Sequence, residues 1–163
     1  MNITIIGASG RTGKQLVEQA LARGHQVTAL VRSPEKLVEF EKLIQIVSGS
    51  AIVVEDVSRA IEHADIVIHC VSVPFLHRKP TDLFSRVTSA VIAARASHAA
   101  QRYIVMSSFG THHGRALPRP ANWAYEMALG DVADDKEKEE ALLEASDLPW
   151  TVVKAVLLDD GII

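Results

Sequence analysis

Cysteine is nearly absent from this chain of 163 residues. Cys70 stands alone, so no intramolecular disulfide can form and nothing points to an oxidising compartment. Long apolar runs are missing as well: none approaches the length that spans a bilayer, and the first strand begins so early that no signal peptide precedes it. There is no excess of positive charge. Seventeen Lys and Arg against 20 Asp and Glu leave a formal net charge of −3, which offers no field to nucleic acid or to an anionic membrane. Internal repeats and low-complexity segments are also lacking. Together these absences describe a soluble cytoplasmic protein whose partner is a small molecule, not nucleic acid and not a membrane. At this length a single domain over residues 1–163 is expected, burying about two-thirds of its unfolded surface.

What is present is organised around Gly7-Ala8-Ser9-Gly10-Arg11-Thr12-Gly13. The short β-branched run Ile3-Thr4-Ile5-Ile6 precedes it, and the helix formers Lys14 to Ala22 follow, so the stretch reads as strand, tight glycine turn, helix. Such a turn gathers backbone N–H groups and the positive end of a helix dipole at one point, and glycines let a pyrophosphate sit against them. The chemistry implied is dinucleotide binding, with the usual G-x-G-x-x-G spacing varied to G-x-x-G-x-x-G. A nucleoside-triphosphate P-loop is excluded, because it needs glycine where Ala8 stands and Ser or Thr where Gln15 stands.

Arg23-Gly24-His25 ends the first helix, and Gln26 to Val31 reads as a second buried strand, completing a β-α-β unit. The end of that strand selects the cofactor: a carboxylate there accepts from the adenosine ribose hydroxyls, whereas a cation accommodates a 2′-phosphate. Here the strand runs into Arg32-Ser33, so NADP is expected, with Arg11 a second cation for the same phosphate. Ser33-Pro34-Glu35 reads as a serine-capped helix start, leading to a short helix ending near Glu41. Strands are expected over Leu43–Val47, Asp65–Val71, Arg102–Ser107 and Trp150–Lys154, with Val71 walling the cofactor. Between them, a short helix is expected over Glu55–His63 and a longer one from Pro80-Thr81-Asp82, with Leu83, Val87, Val91, Ala94 and His98 near one face. Residues 121–145 read as mostly helical, broken near Gly130-Asp131, and the run Asp134 to Glu140 as a solvated helix face. Cys70 reads as a small core residue. Ser107-Ser108 ends the fifth strand, where such folds place groups near a nicotinamide, and the polar segment 108–120 reads as a substrate lip. His112 and His113 lie in it without carboxylate or thiolate neighbours, so no metal site is expected. Six strands alternating with helices predict an α/β, doubly wound parallel sheet in the order 3-2-1-4-5-6.

The glycine loop, the Val27-Thr28-Ala29-Leu30-Val31-Arg32-Ser33-Pro34 strand end and Ala145-Ser146-Asp147-Leu148-Pro149-Trp150-Thr151-Val152-Val153-Lys154 resemble the atypical short-chain dehydrogenase/reductases. The NmrA-like proteins and the NADPH-dependent flavin or biliverdin reductases are the nearest groups. The resemblance implies an NADP-binding Rossmann domain with Gly7, Ser9, Gly10, Arg11, Thr12 and Gly13 at the phosphates and Arg32 with Ser33 at the 2′-phosphate. It also implies Lys136 at the nicotinamide ribose. The Tyr-x-x-x-Lys pair of ordinary members is absent: Leu129 stands four residues after Tyr125, and Ser107 four after Tyr103. Gly49-Ser50 stands where relatives carry Gly-Asp, and Lys154-Ala155 where they carry Arg-Pro. A further strand and helix, usual in relatives at the C-terminus, are expected to be missing, leaving an apolar tail (Ala155 to Leu158, Ile162-Ile163) to pair with a second chain as a homodimer. Two functions follow from the resemblance. One is a reductase passing hydride from NADPH to a flavin, quinone or similar planar acceptor, with Ser107, Ser108 and Lys136 in the catalytic region and His112 or His113 as proton donor. The other is a non-catalytic NADP sensor acting through a protein partner.

Overall fold

The structure, a computed structural model, describes residues 1–73, 80–95, 102–108 and 119–155; for Ser108 and residues 119–129 it describes the backbone alone. Six strands, β1 (Asn2–Ile6), β2 (Gln26–Val31), β3 (Gln45–Ser48), β4 (Ile66–His69), β5 (Arg102–Ser108) and β6 (Trp150–Ala155), form one sheet in the order β3-β2-β1-β4-β5-β6. Every pairing is parallel. This is the doubly wound α/β arrangement that the alternation of apolar strands and helices predicts.

Side chains alternating along each strand feed two cores. Ile3 and Ile5 of β1 with Val27, Ala29 and Val31 of β2 meet Val17 and Ala20 of helix α1 (Arg11–Ala22) and Leu37 and Phe40 of a 3-10 helix, Pro34–Phe40. On the opposite face, Ile6, Leu30, Val67 and Val105 pack on α2 (Val54–Ile61), α3 (Leu83–Arg95) and α4 (Arg119–Glu144). Helix α1 ends as its sequence demands. Gly24 takes φ +74°, its N–H bonds Leu21 O at 2.9 Å and His25 N–H bonds Ala20 O at 3.0 Å, satisfying carbonyls at the helix end.

Three local expectations are corrected. Helix α4 runs unbroken for 26 residues through Gly130-Asp131, because one interior glycine costs only about 1 kcal/mol relative to alanine. Ser33 makes no side-chain capping bond, and the segment after it is a 3-10 helix kinked at Leu37. The charged run of α4 is not a solvated face: Asp135, Lys136 and Glu139 are buried. Several expectations concern residues outside those described: His98, His112, His113 and most of the 108–120 lip, and the tail beyond Ala155 with the homodimer it suggested. Among the described residues, no helix is long and apolar enough to cross a membrane.

Candidate functional site

Strands β1 and β4 are neighbours, with Ile6 beside His69, and their following crossovers leave for opposite faces of the sheet. A crevice opens at the carboxyl ends of strands where the winding reverses, and the glycine loop fills that position. Gly7 adopts φ +86°, and a Cβ there would lie 2.9 Å from the backbone of Cys70 and Val71. Only glycine lets the chain turn there so close against the end of β4. Gly10 N–H bonds Gly7 O at 3.1 Å, and Lys14 N–H then makes the first helical bond, to Gly10 O at 2.9 Å. The first-turn amides of α1 have no acceptor in their own helix, and that turn contains no acidic side chain, so the dipole end is available to an anion.

The three glycines have different tasks. Gly10 lines the crevice, and a Cβ on it would meet nothing nearer than Gly7 O at 3.4 Å. Gly13 is buried, and a Cβ would collide with Gly7 O and stand 2.7 Å from Ala8 Cα. Gly13→Ala is therefore expected to lower unfolding free energy by about 1–3 kcal/mol by prying α1 off the loop, read as a shifted urea midpoint. Gly10→Ala should shift that midpoint far less.

The crevice encloses about 190 Å³. Gly7, Ser9 and Gly10 form one wall, Leu30, Val31 and Arg32 continue from the end of β2, and Cys70, Val71 and Ser72 from the end of β4. The loop Gly49-Ser50-Ala51-Ile52 after β3 and Leu83 at the start of α3 complete it. Arg32 is the sole charged residue in this lining, and no carboxylate lines it among the described residues. Burial pushes the Cys70 thiol up to about 12, so at neutral pH it is a packed hydrophobe and not a nucleophile. Positive φ and close backbone approach explain the glycine pattern here, and a lining of glycine wall, one guanidinium and small apolar side chains fits a dinucleotide.

A second constellation lies where α4 meets α3, β4, β5 and β6. Residues 135, 136, 139 and 140 share one face of a helix, and together they reach all four of those elements. The Asp135 carboxylate accepts from Phe84 N–H at 2.8 Å and from Ser85 N–H at 3.3 Å, capping α3 from outside its own chain segment. Lys136 donates to Met106 O at 3.1 Å, and its ammonium sits 4.1 Å over the Phe84 ring. Burial lowers its pKa below the ordinary lysine value, and the carboxylates of Glu139, Glu140 and Asp135 partly restore it. Glu140 accepts from Ser107 Oγ at 3.3 Å and from Lys154 Nζ at 2.9 Å.

Glu139 is the centre of the buried part. Its Oε1 accepts from Thr88 Oγ1 at 2.8 Å and stands 2.9 Å from His69 Nδ1; Tyr103 OH lies 3.0 Å from Thr88 Oγ1 and 3.1 Å from His69 Nδ1. All four side chains are 0–1 % exposed. Hydrogen counting assigns the donors: Thr88 spends its proton on Glu139, so Tyr103 donates to Thr88, and His69 Nδ1 carries the proton that Glu139 and Tyr103 share. Burial and then the Glu139 charge hold the Tyr103 phenol well above its ordinary value, so it stays a neutral donor.

Of the residues singled out in the sequence, Gly7, Ser9, Gly10, Arg32 and Val71 come together around the crevice. Arg11, Thr12 and Gly13 form the first turn of α1 behind it, and Ser33 stands beside Arg32 without joining the lining. Ser107 and Lys136 belong to the α4 constellation instead, and Ser108 ends β5. Gly49-Ser50 stood out in the sequence only as a departure from relatives, and Ala51, Ile52 and the His69–Thr88–Tyr103–Glu139 cluster were not singled out. The helical spacing of 135, 136, 139 and 140, flanked by apolar Val132 and Leu143, was the available signal for the cluster.

Comparison with known proteins agrees with this geometry. A family model described as NAD(P)H-binding matches residues 7–162. A bifunctional pinoresinol-lariciresinol reductase from Linum usitatissimum is 29% identical over 164 residues, covering 94% of this chain and 46% of that protein. A photosystem II assembly factor from Synechocystis is 38% identical over 69 residues, 42% of this chain and 21% of that protein. The chain thus spans less than half the length of these curated relatives. Among solved structures, an anaerobilin reductase from Escherichia coli superposes with a TM-score of 0.75 at 20% identity, over 94% of this chain and 72% of that one. A short-chain dehydrogenase/reductase from Veillonella parvula in complex with NADP gives 0.74 at 17%, over 94% and 68%. With the match running from the glycine loop through the crevice and strands β2 to β6, the chain belongs to the NAD(P)H-binding family and has the Rossmann fold.

Proposed function

We propose that the chain binds NADP(H) in preference to NAD(H) and acts as a reductase on a planar acceptor such as a flavin or quinone. The observation that carries the preference is the lining of the crevice, whose one formal charge is the Arg32 guanidinium and which presents no carboxylate among the described residues. A 2′-phosphate gains paired hydrogen bonds from such a group, and no acid is present to accept the ribose hydroxyls of NAD. When bound, NADPH supplies the hydride. The chain's own groups position it: the glycine loop and α1 N-terminus hold the phosphates, and Val71 and Ser72 border the crevice at the end of β4. Lys136, placed under the end of β5, keeps a positive charge near the nicotinamide side, with Ser107 and Ser108 at that strand end. A reductase among the sequence relatives and another among the structural neighbours support the reading.

A non-catalytic sensor is the second reading. It is favoured by Val132, a buried hydrocarbon one turn before Lys136, and by Ser107, whose hydroxyl is engaged by Glu140. Titration with NADPH and NADH, followed by loss of reduced-nicotinamide absorbance with flavin and quinone acceptors, separates the two. The reductase reading expects at least about tenfold tighter NADPH binding, with turnover. Tight binding with no turnover on any acceptor selects the sensor, and equal affinity for the two cofactors removes the NADP assignment.

A further inference from the structure

The loop after β3 is held by a side chain that is not part of the crevice. Asp56, in the first turn of α2, folds its carboxylate back beneath residues 49 and 50. Its Oδ2 accepts from Ser50 N–H at 2.7 Å, and its Oδ1 accepts from Arg59 Nη2 at 2.5 Å. A Cβ on Gly49 would lie 2.6 Å from Asp56 Cγ and 2.7 Å from its Oδ2. Glycine at 49 is therefore what lets the carboxylate reach Ser50. Two further backbone bonds hold the loop: Gly49 N–H bonds Val31 O at 3.0 Å, and Val53 N–H bonds Ser50 O at 3.1 Å. The first of these ties the loop to the strand that ends in Arg32.

From this arrangement we infer that Asp56 is a positioning residue for the adenosine 2′-phosphate half of the ligand, preforming the Gly49–Ile52 wall beside the end of β2 and Arg32 while touching no ligand itself. The inference rests on the dinucleotide reading of the crevice. Three physical points support it. Gly49, Ser50, Ala51 and Ile52 all line the crevice, so the conformation that Asp56 fixes is the shape of that wall. A loop ordered beforehand spares the ligand the cost of ordering it, which raises affinity without a new contact. The Asp56 charge is engaged by Arg59 and by a backbone N–H, so it lies close to an anionic subsite without facing it. The Ser50 hydrogen bond, ahead of that to Arg59, holds the Asp56 pKa below the ordinary carboxylate value, so the clamp is closed throughout the neutral range.

Calorimetric titration of the protein with adenosine 2′,5′-bisphosphate, NADPH and nicotinamide mononucleotide tests the inference, using Asp56→Ala, Asp56→Asn and Gly49→Ala. Asp56→Ala is expected to weaken adenosine 2′,5′-bisphosphate and NADPH by the same factor, about fivefold to tenfold, and to leave nicotinamide mononucleotide unchanged. Asp56→Asn retains an oxygen that accepts from Ser50 N–H and should stay within about twofold of the parent. Gly49→Ala displaces the same carboxylate without removing it and should reproduce the loss; it also serves should Asp56→Ala not fold. Equal losses in the Asn and Ala variants would assign the effect to charge and overturn the positioning role. So would parent-like affinity in both Asp56→Ala and Gly49→Ala. A parent protein that binds none of the three ligands would instead overturn the dinucleotide reading of the crevice, and the inference with it.

Discussion

Glu139→Ala is expected to lower the unfolding free energy by about 2–5 kcal/mol, since each buried donor left without its acceptor costs about 1–3 kcal/mol and two lose theirs. The loss has identifiable parts. Thr88 Oγ1 and His69 Nδ1 are left as buried donors without their carboxylate acceptor, and the cluster holding α3 and α4 to β4 and β5 loses its shared atom. Glu139→Gln keeps an acceptor oxygen in place and should cost less, about 1–2 kcal/mol. Urea unfolding with an unchanged slope and a lowered midpoint is the measurement; a shift below about 1 kcal/mol for the alanine variant would show that the cluster does not hold the fold. An alkaline signature accompanies it. Because burial holds the Lys136 pKa below its ordinary 10.5, the folded protein releases that proton before the unfolded chain does, so the unfavourable contribution of this group fades as pH rises toward 10.5. Glu139 is the first of the carboxylates that oppose the lowering, so its removal makes that rise in stability begin at lower pH.

Arg32→Ala is expected to weaken NADPH about tenfold to a hundredfold while NADH changes by less than about twofold, since a charge-assisted pair contributes about 1.5–3 kcal/mol. Arg32→Glu should exceed the hundredfold loss, because the introduced carboxylate repels the 2′-phosphate and can accept from ribose hydroxyls; NADH affinity should hold or rise. Arg32 is exposed, so neither variant should disturb folding, and fluorescence titration reads affinity directly. Parallel losses for both cofactors would mean that Arg32 shapes the crevice without selecting a phosphate.

The sheet was legible because local signals agreed: apolar runs of strand length, a helix-ending Gly24 and a glycine turn after β1 all point to one parallel winding. The phosphate wall and Arg32 were legible for the same reason, since backbone turn and strand end lie close in sequence to what they position. The α4 charges were not. Hydropathy treats Asp135, Lys136 and Glu139 as solvated groups, and their burial depends on partners that arrive from β4, α3 and β5, as far away in sequence as His69. Gly130 misled in the same direction, because packing along α4 outweighs a local helix penalty.

The sequence by itself determined the winding and the strand ends at which the glycine loop and Arg32 meet around one crevice, because each depends on short-range backbone chemistry. Only the tertiary structure decided that part of an apparently solvated acidic run is buried and joins α4 to α3, β4 and β5, and that Asp56 sets the wall beside Arg32. Glu139 is held by side chains of β4 and α3, and Asp56 by the backbone of the loop it shapes, and such contacts leave no periodicity in the chain that makes them.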